Sequence, residues 1–223
     1  MYELKISKLK EVPVFSFADI SQIVSGKEYG KKLLRKLILL KEIKKIKRDA
    51  YTFYNDPFLI STFLVRSSYI SSVSALSYHR LITQIPKDVF CFTTQKNASF
   101  KFFSEIKFIH TNYLFGFDNL EYRGFKIPIA TPEKAIIDSI GLIPISLFEE
   151  ALENINLNKL LDYLQKIKKS SILKRIGYLL ERQGFDIFNK IKHSLNDKYI
   201  YLDPVAKKQG IKNKKWKLII NAK

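Results

Sequence analysis

The sequence has few of the residues that build reactive or metal-binding sites. It has one cysteine, Cys91, which excludes an internal disulfide, and its apolar surroundings predict a buried small hydrophobe rather than a nucleophile. The three histidines, His79, His110 and His193, have no partner at metal-ligand spacing, so we predict no zinc site. Only 8 residues are glycine, and the chain has no glycine-rich phosphate loop, nucleophile elbow or HExxH motif. We therefore predict neither a cofactor nor an enzymatic activity.

Long apolar runs are also missing. No stretch approaches the roughly 18 apolar residues that a membrane-spanning helix needs. The first residues, MYELKISKLKE, are too charged for a signal peptide. We therefore expect a cytoplasmic globular protein without a membrane partner.

Acidic residues are scarce relative to basic ones. The chain has 39 Lys and Arg against 21 Asp and Glu, and the net charge of +18 favours a polyanionic partner. Residues 1–55 hold 13 basic and 6 acidic residues (+7), residues 56–145 hold 9 and 7 (+2), and residues 146–223 hold 17 and 8 (+9). A nearly neutral middle and an Asn-Asp-Pro turn at 55–57 predict two domains, 1–55 and 56–223.

The first domain carries the signals of two helices that meet across almost no loop. Ser16, with Asp19 three residues later, predicts the start of the first helix. Ser25, with Glu28, predicts the start of the second, which runs to about residue 41. Such a junction is typical of a helix-turn-helix, whose second helix lies in the major groove of DNA.

The second helix is amphipathic. Its predicted apolar side comprises Leu33, Leu34, Leu37, Ile38 and Leu40. Its predicted DNA-facing side comprises Lys27, Tyr29, Lys31, Lys32, Arg35 and Lys36. Leu39 breaks the pattern by falling on the polar side.

A short hairpin is predicted directly after this helix, with its corner at Lys47-Arg48-Asp49. The order of helix, helix and hairpin is that of a winged helix-turn-helix. In that arrangement the phosphate backbone would be neutralised by Lys44, Lys45, Lys47 and Arg48. The plain alternative is a solvated lysine-rich surface, or a winged helix that binds protein.

The rest of the chain predicts an α+β domain. Helices are expected in DPFLISTFLV (56–65) and SYISSVSALSYHRLI (68–82), with Ser71 or Ser72 capping the second. Residues 89–130 contain short β-rich runs that predict an antiparallel or mixed sheet. Thr131, Pro132 and Glu133 have the chemistry of a helix start, and Gly141 that of its end. Helices are predicted at 146–154, 156–168 and 171–183, followed by two strands around a basic loop.

The basic loop leaves two interpretations open. Its cations could face phosphates as a second basic surface, or they could be solvated around a core Trp216. The cations are Lys207, Lys208, Lys212, Lys214, Lys215 and Lys217.

Five segments, in this order, support a family resemblance: SYISSVSAL (68–76), LITQIP (81–86), IATPEKAIID (129–138), RIGYLLE (175–181) and YLDPVAKKQGIKNKKWKLIIN (201–221). Behind a winged-helix N-terminus, they resemble the AbiEi family of antitoxins from abortive-infection toxin–antitoxin systems, which act in phage defence. The second helix and the tail are richer in lysine than the family pattern.

The resemblance implies a transcriptional autorepressor whose N-terminal domain binds inverted repeats in its own promoter. It also implies a C-terminal domain that is needed for antitoxicity against a nucleotidyltransferase-like toxin. Antitoxin and toxin would form no stable complex, the arrangement called type IV. We expect a monomer in solution, or a weak dimer on DNA.

Three other functions compete with this one. The first is a stand-alone winged-helix regulator with a ligand-sensing or dimerising C-terminal domain. The second is a metal-dependent nuclease, because Glu105 and Lys107 form Glu-x-Lys on a predicted strand with Asp88 upstream. The third is a membrane-surface protein, which would need a broad exposed apolar face beside the cations.

Overall fold

A computed structural model describes residues 2–24 and 26–222 of the chain, apart from the side chains of residues 2–5. The fold is mixed α+β. It divides into two compact units. Unit 1 comprises residues 1–70, 87–114 and 118–129, and unit 2 comprises residues 71–86, 115–117 and 130–223. The boundary predicted at residue 55 falls within unit 1.

Unit 1 begins with three helices, α1 (Tyr2–Lys10), α2 (Phe17–Val24) and α3 (Lys27–Leu39). The predicted start of α2 is confirmed, because Asp19 Oδ2 accepts from the Ser16 backbone N–H (2.7 Å) and the Ser16 hydroxyl accepts from the Asp19 N–H (3.3 Å). The predicted cap at Ser25 lies outside the described residues. Gly26 precedes α3 and gives it no side-chain cap.

The helices pack on a hairpin of β1 (Lys44–Lys47) and β2 (Ala50–Thr52), which pair antiparallel. Phe15 forms an isolated bridge with Tyr51, with backbone hydrogen bonds of 2.9 Å in both directions. The shared core comprises Ile6, Leu9, Phe15, Ile20, Val24, Leu33, Leu37, Ile43 and Tyr51. Burial of these side chains stabilises the packing of the three helices against the hairpin.

The apolar side predicted for α3 was wrong at its end. Leu33 and Leu37 are buried, but Ile38 and Leu40 are exposed. The helix ends at Leu39, and Lys41 takes a left-handed conformation (φ 56°), so the helical wheel does not extend to Leu40, whereas Ile38 lies in the last turn of the helix. Leu39 is 81% exposed.

Unit 1 continues into a six-stranded mixed sheet in the order β5-β6-β4-β3-β8-β7. Its strands are β3 (Ser68–Ile70), β4 (Val89–Thr93), β5 (Ala98–Phe102), β6 (Ser104–His110), β7 (Phe117–Tyr122) and β8 (Phe125–Ala130). A short helix, α4 (Pro57–Ser61), precedes them. Strands β3 and β4 are antiparallel, whereas β4 and β6 are parallel, so the sheet, predicted to be antiparallel or mixed, is mixed.

Two predictions in this region were wrong. The helix expected over 56–65 is limited to α4, and residues 68–70, included in a predicted helical segment, form a strand. A short apolar run fits a buried strand as well as a buried helix, and here all three residues of β3 are buried in the middle of the sheet.

Unit 2 is mainly helical and ends in a small three-stranded sheet. Its helices are α5 (Ser72–Tyr78), α6 (Pro132–Ser139), α7 (Ile145–Leu152), α8 (Leu157–Ile167), α9 (Ser170–Arg182) and α10 (Phe188–Ile191). Its strands are β9 (Ile200–Tyr201), β10 (Ile211–Asn213) and β11 (Leu218–Ile220). The three helices predicted between 146 and 183 are confirmed to within two residues. The tail was predicted to have two strands around a basic loop, and it has a further strand, β10, which lies in that loop and pairs antiparallel with β11, while β9 pairs parallel with β11.

Trp216 is the largest fully buried side chain, and a glycine makes room for it. A Cβ added at Gly177 of α9 would lie 2.3 Å from the indole ring. The indole N–H donates to Glu181 Oε2 at 2.5 Å. The interpretation of Trp216 as a core residue is therefore confirmed.

The close approach predicts that Gly177→Ala destabilises unit 2, by about 1–3 kcal/mol as for other overpacked cores. Trp216 is the only tryptophan, so its fluorescence reports the unfolding of its own unit in urea. An unchanged unfolding midpoint would show that the helix can shift away without cost.

Candidate nucleic-acid interface

One side of α3 carries a set of exposed cations, which we call the α3 face. All six predicted residues are exposed, namely Lys27, Tyr29, Lys31, Lys32, Arg35 and Lys36. The helix cannot rotate freely about its axis, because Leu33 and Leu37 are buried in the core on its other side. The fold therefore holds the cations towards solvent as one surface.

Helix α3 is set closely against α2. A Cβ added at Gly30 would lie 3.1 Å from the Ser21 hydroxyl and 3.4 Å from the Phe17 ring. The Ser21 hydroxyl donates to the Phe17 carbonyl (2.9 Å). A small residue at this position therefore allows the close contact between the two helices.

The α3 face contains one internal ion pair that the sequence analysis did not anticipate. Lys31 Nζ lies 2.7 Å from Glu28 Oε1. The hydrogen bond from Lys31 lowers the pKa of Glu28, and Arg35 contributes in the same direction. Part of the charge of Lys31 is thus balanced within the helix, whereas Lys32 and Arg35 lie on the same face with no ion pair among the described residues.

The hairpin tip is fixed beside the start of α2. Asp49 takes a left-handed conformation (φ 54°), and its Oδ1 accepts from the Phe17 backbone N–H at 2.8 Å. A carboxylate at a helix N-terminus is stabilised by the free N–H groups and the helix dipole. This contact leaves Arg48 exposed at the tip, and Lys45 is exposed on β1.

Lys44 and Lys47, predicted to contact phosphates, both have partners within unit 1. Lys47 Nζ donates to the Leu64 carbonyl at 2.6 Å and lies 4.9 Å from the centre of the Phe100 ring. Lys44 Nζ donates to Asn55 Oδ1 and lies 5.2 Å from the centre of the Phe103 ring. Both side chains are half-buried, and they attach the hairpin to the rest of unit 1.

Lys47 is bonded within unit 1, whereas Arg48 is exposed. Substitutions at these two residues should therefore change the salt dependence of DNA binding differently. We expect Arg48→Met to lower the slope of log affinity against log salt by about 0.9, because it removes one phosphate contact. Lys47→Met should weaken binding to duplex DNA while leaving that slope unchanged, because its ammonium is held by a carbonyl. The measurement is fluorescence anisotropy of a labelled duplex over a series of salt concentrations. An equal slope change in both variants would show that Lys47 leaves Leu64 for a phosphate.

Some cations of the basic loop have partners within unit 2. Lys215 is paired with Glu181 and Asp186, which raise its pKa, and Lys217 lies 3.5 Å from Asp197. Lys212 Nζ lies 5.5 Å from the centre of the Tyr199 ring. The side chains of Lys207, Lys208 and Lys214 are exposed. The predicted second basic surface is therefore reduced by internal pairing.

The three residues of the nuclease hypothesis do lie together. Lys107 Nζ is 2.8 Å from Asp88 Oδ2 and 3.3 Å from Glu105 Oε2. The hydrogen bond from Lys107 lowers the pKa of Asp88, while Ser99 and then Lys107 lower that of Glu105. The lysine bridges the two carboxylates. Among the described residues, no group of three or more His, Cys, Asp or Glu side chains could hold a metal ion.

Cys91 is buried in the sheet, as predicted. Burial raises the pKa of its thiol to about 12, and a hydrogen bond with Ser61 offsets this only in part. A thiol of that pKa carries almost no thiolate near neutral pH, which makes it a poor nucleophile. In the part of the chain that the structure describes, no helix is both long and apolar enough to cross a membrane.

Comparison with known proteins identifies a related fold. The crystal structure of the RV2827C protein from Mycobacterium tuberculosis matches this chain with a TM-score of 0.64 and 12% sequence identity. The match covers 94% of this chain and 86% of that one. No family model matches the sequence, and neither does any curated protein. At this identity, the likeness shows that the two chains share a fold.

Proposed function

We propose that this protein is a DNA-binding transcriptional autorepressor and the antitoxin of a type IV toxin–antitoxin operon. The α3 face is the observation that carries the DNA-binding part. Its cations project from a helix that is anchored by Leu33 and Leu37. A further exposed cation, Arg48, lies on the adjoining hairpin. In the proposed winged helix-turn-helix, α3 enters the major groove and the hairpin flanks it.

Position on the helix separates the roles of these residues. Cations that meet phosphates give affinity without sequence preference, whereas side chains near the start of a recognition helix contact base edges. We assign Lys27 and Tyr29 to base contacts, because they lie in the first turn of α3 and are exposed. Lys32, Arg35, Lys36 and Arg48 are assigned to phosphates.

The binding test uses the full chain and a labelled duplex from its own upstream region. We expect affinity to fall steeply with salt and to exceed the affinity for an unrelated duplex of equal length. Lys27→Ala should chiefly reduce the preference for the upstream duplex over the unrelated duplex, and it should change the salt slope little. If both duplexes bind with equal affinity at every salt concentration, α3 reads no sequence.

The antitoxin part rests on the family resemblance of the five segments. It is tested by expressing the protein together with a nucleotidyltransferase-like protein from the neighbouring gene. Protection of growth without co-purification of the two proteins supports the type IV assignment. If no such gene adjoins and no growth is rescued, the stand-alone regulator is the better description.

A further inference from the structure

Two turns of unit 1 lie beside the hairpin. Lys47, the residue before Arg48, donates to the Leu64 carbonyl (2.6 Å) and lies 4.9 Å from the centre of the Phe100 ring. These contacts place the segment around residues 64–67 and strand β5 next to the end of β1. The end of the hairpin therefore lies next to β5 and to the segment around residues 64–67.

The first turn holds Arg66. The Ser68 hydroxyl donates to the Val65 carbonyl at 2.6 Å, and Ser67 takes a left-handed conformation (φ 51°). The Thr93 hydroxyl donates to the carbonyl of Arg66 at 3.1 Å. The backbone of Arg66 is thus fixed, while its side chain is exposed.

The second turn, residues 94–97, follows β4 and holds Lys96. The same Thr93 hydroxyl accepts from the Gln95 backbone N–H at 3.1 Å. The His110 backbone N–H donates to Asn97 Oδ1 at 2.7 Å. Lys96 is exposed between these two fixed points. Because Thr93 bonds both turns, it brings the backbones at Arg66 and Gln95 together.

Arg66 and Lys96 differ from other cations of the same unit. Arg123 lies 2.9 Å from Asp56, and Lys107 is held by Asp88 and Glu105. Neither Arg66 nor Lys96 takes part in an ion pair among the residues that the structure describes. Side chains on a backbone that is already ordered lose less freedom on binding, which favours their use in an interface.

We infer that Arg66 and Lys96 extend the phosphate-binding surface from Arg48 at the hairpin tip onto the sheet. Duplex DNA has one negative charge for about every 1.7 Å of its axis, so a surface that continues past the hairpin meets further phosphates. Gln95 and Asn97 are exposed amides beside Lys96 and add hydrogen-bond donors of the kind that bind phosphate oxygens. This inference rests on the proposed function, because it adds contacts to the same duplex.

The experiment measures anisotropy of the labelled upstream duplex with the full chain over a series of salt concentrations. Arg66→Met combined with Lys96→Met should lower affinity about tenfold and reduce the salt slope by about 2. The affinity for an unrelated duplex should fall in parallel, because phosphates carry no sequence. A matched control replaces two exposed lysines of the same unit, Lys87→Met and Lys126→Met, and should leave the slope within error.

The outcomes separate the two proposals. If the wild-type chain binds no duplex, the proposed function is wrong and this inference falls with it. If the wild-type chain binds, and Arg48→Met lowers the slope, but the Arg66 and Lys96 pair behaves like its control, the inference alone is overturned. A slope change in the variant lacking Arg66 and Lys96, but not in its lysine control, supports the inference.

Discussion

Replacing Lys32, Arg35 and Lys36 together by methionine should reduce affinity for the upstream duplex at least about 100-fold. Each is exposed on the α3 face, and each cation on a recognition helix contributes through a phosphate or a base edge. The fold should be unaffected, because the apolar contacts of α3 with the core come from Leu33 and Leu37. Circular dichroism and the thermal midpoint check the fold, and anisotropy measures the affinity.

The matched control removes the same charge from elsewhere. Lys126→Met, Lys169→Met and Lys192→Met together replace three exposed lysines outside the α3 face. We expect this variant to lose less than about threefold in affinity, because none of its three lysines belongs to the proposed DNA-binding surface. Equal losses in the two triple variants would show that binding depends on net charge and that α3 is no recognition helix.

Asp138→Ala should give the largest loss of stability in unit 2. Lys134 Nζ is bonded to Asp138 Oδ1, and the Ser71 hydroxyl donates to Asp138 Oδ2 at 2.7 Å. Lys134 is fully buried, and this burial lowers its pKa while Asp138 opposes the shift. Removing one partner of a buried ion pair costs about 3–5 kcal/mol, because the other charge stays buried. Urea unfolding followed by Trp216 fluorescence measures the change.

A double variant and a pH series test this prediction further. Lys134→Met with Asp138→Leu removes both charges and should recover most of the loss, as apolar replacements of buried pairs often do. The loss in Asp138→Ala should also shrink as pH rises towards 10.5, the ordinary lysine value, because a neutral amine is cheaper to bury. A loss below about 1 kcal/mol in Asp138→Ala, or no recovery in the double variant, would contradict the assigned role of the pair.

The helical part of the fold could be predicted from local signals. Ser16 with Asp19 places the start of α2, and the period of Leu33 and Leu37 identifies the buried side of α3. These signals involve residues three or four apart, so they are visible in the sequence. The same holds for Pro132 at the start of α6 and for the helices after residue 145.

The features that depend on distant partners could not be predicted. Lys47 resembles Arg48 in sequence, yet its partners Leu64 and Phe100 lie 17 or more residues away and remove it from the exposed surface. Likewise, Lys215 is neutralised by Glu181, whereas Lys207 stays exposed in the same loop. A run of charges gives the number of cations in a surface but not which of them are already paired.

The strand β3 shows the same limit for secondary structure. Its sequence, Ser-Tyr-Ile, is separated from α5 by one residue, Ser71, and was predicted as part of the same helical segment. It becomes a strand because β4 and β8 pair with it on either side, and those strands lie farther along the chain. Ser71, predicted as a possible helix cap, instead donates its hydroxyl to Asp138.

The most direct test of the central claim is a nuclease footprint of the full chain on its own upstream region. If α3 enters the major groove, the footprint should cover two inverted half-sites about one helical turn, or a multiple of it, apart. The variant lacking Lys32, Arg35 and Lys36 should leave both half-sites unprotected at the same concentration. Uniform protection along the fragment, or the same paired footprint from that variant, would contradict the account.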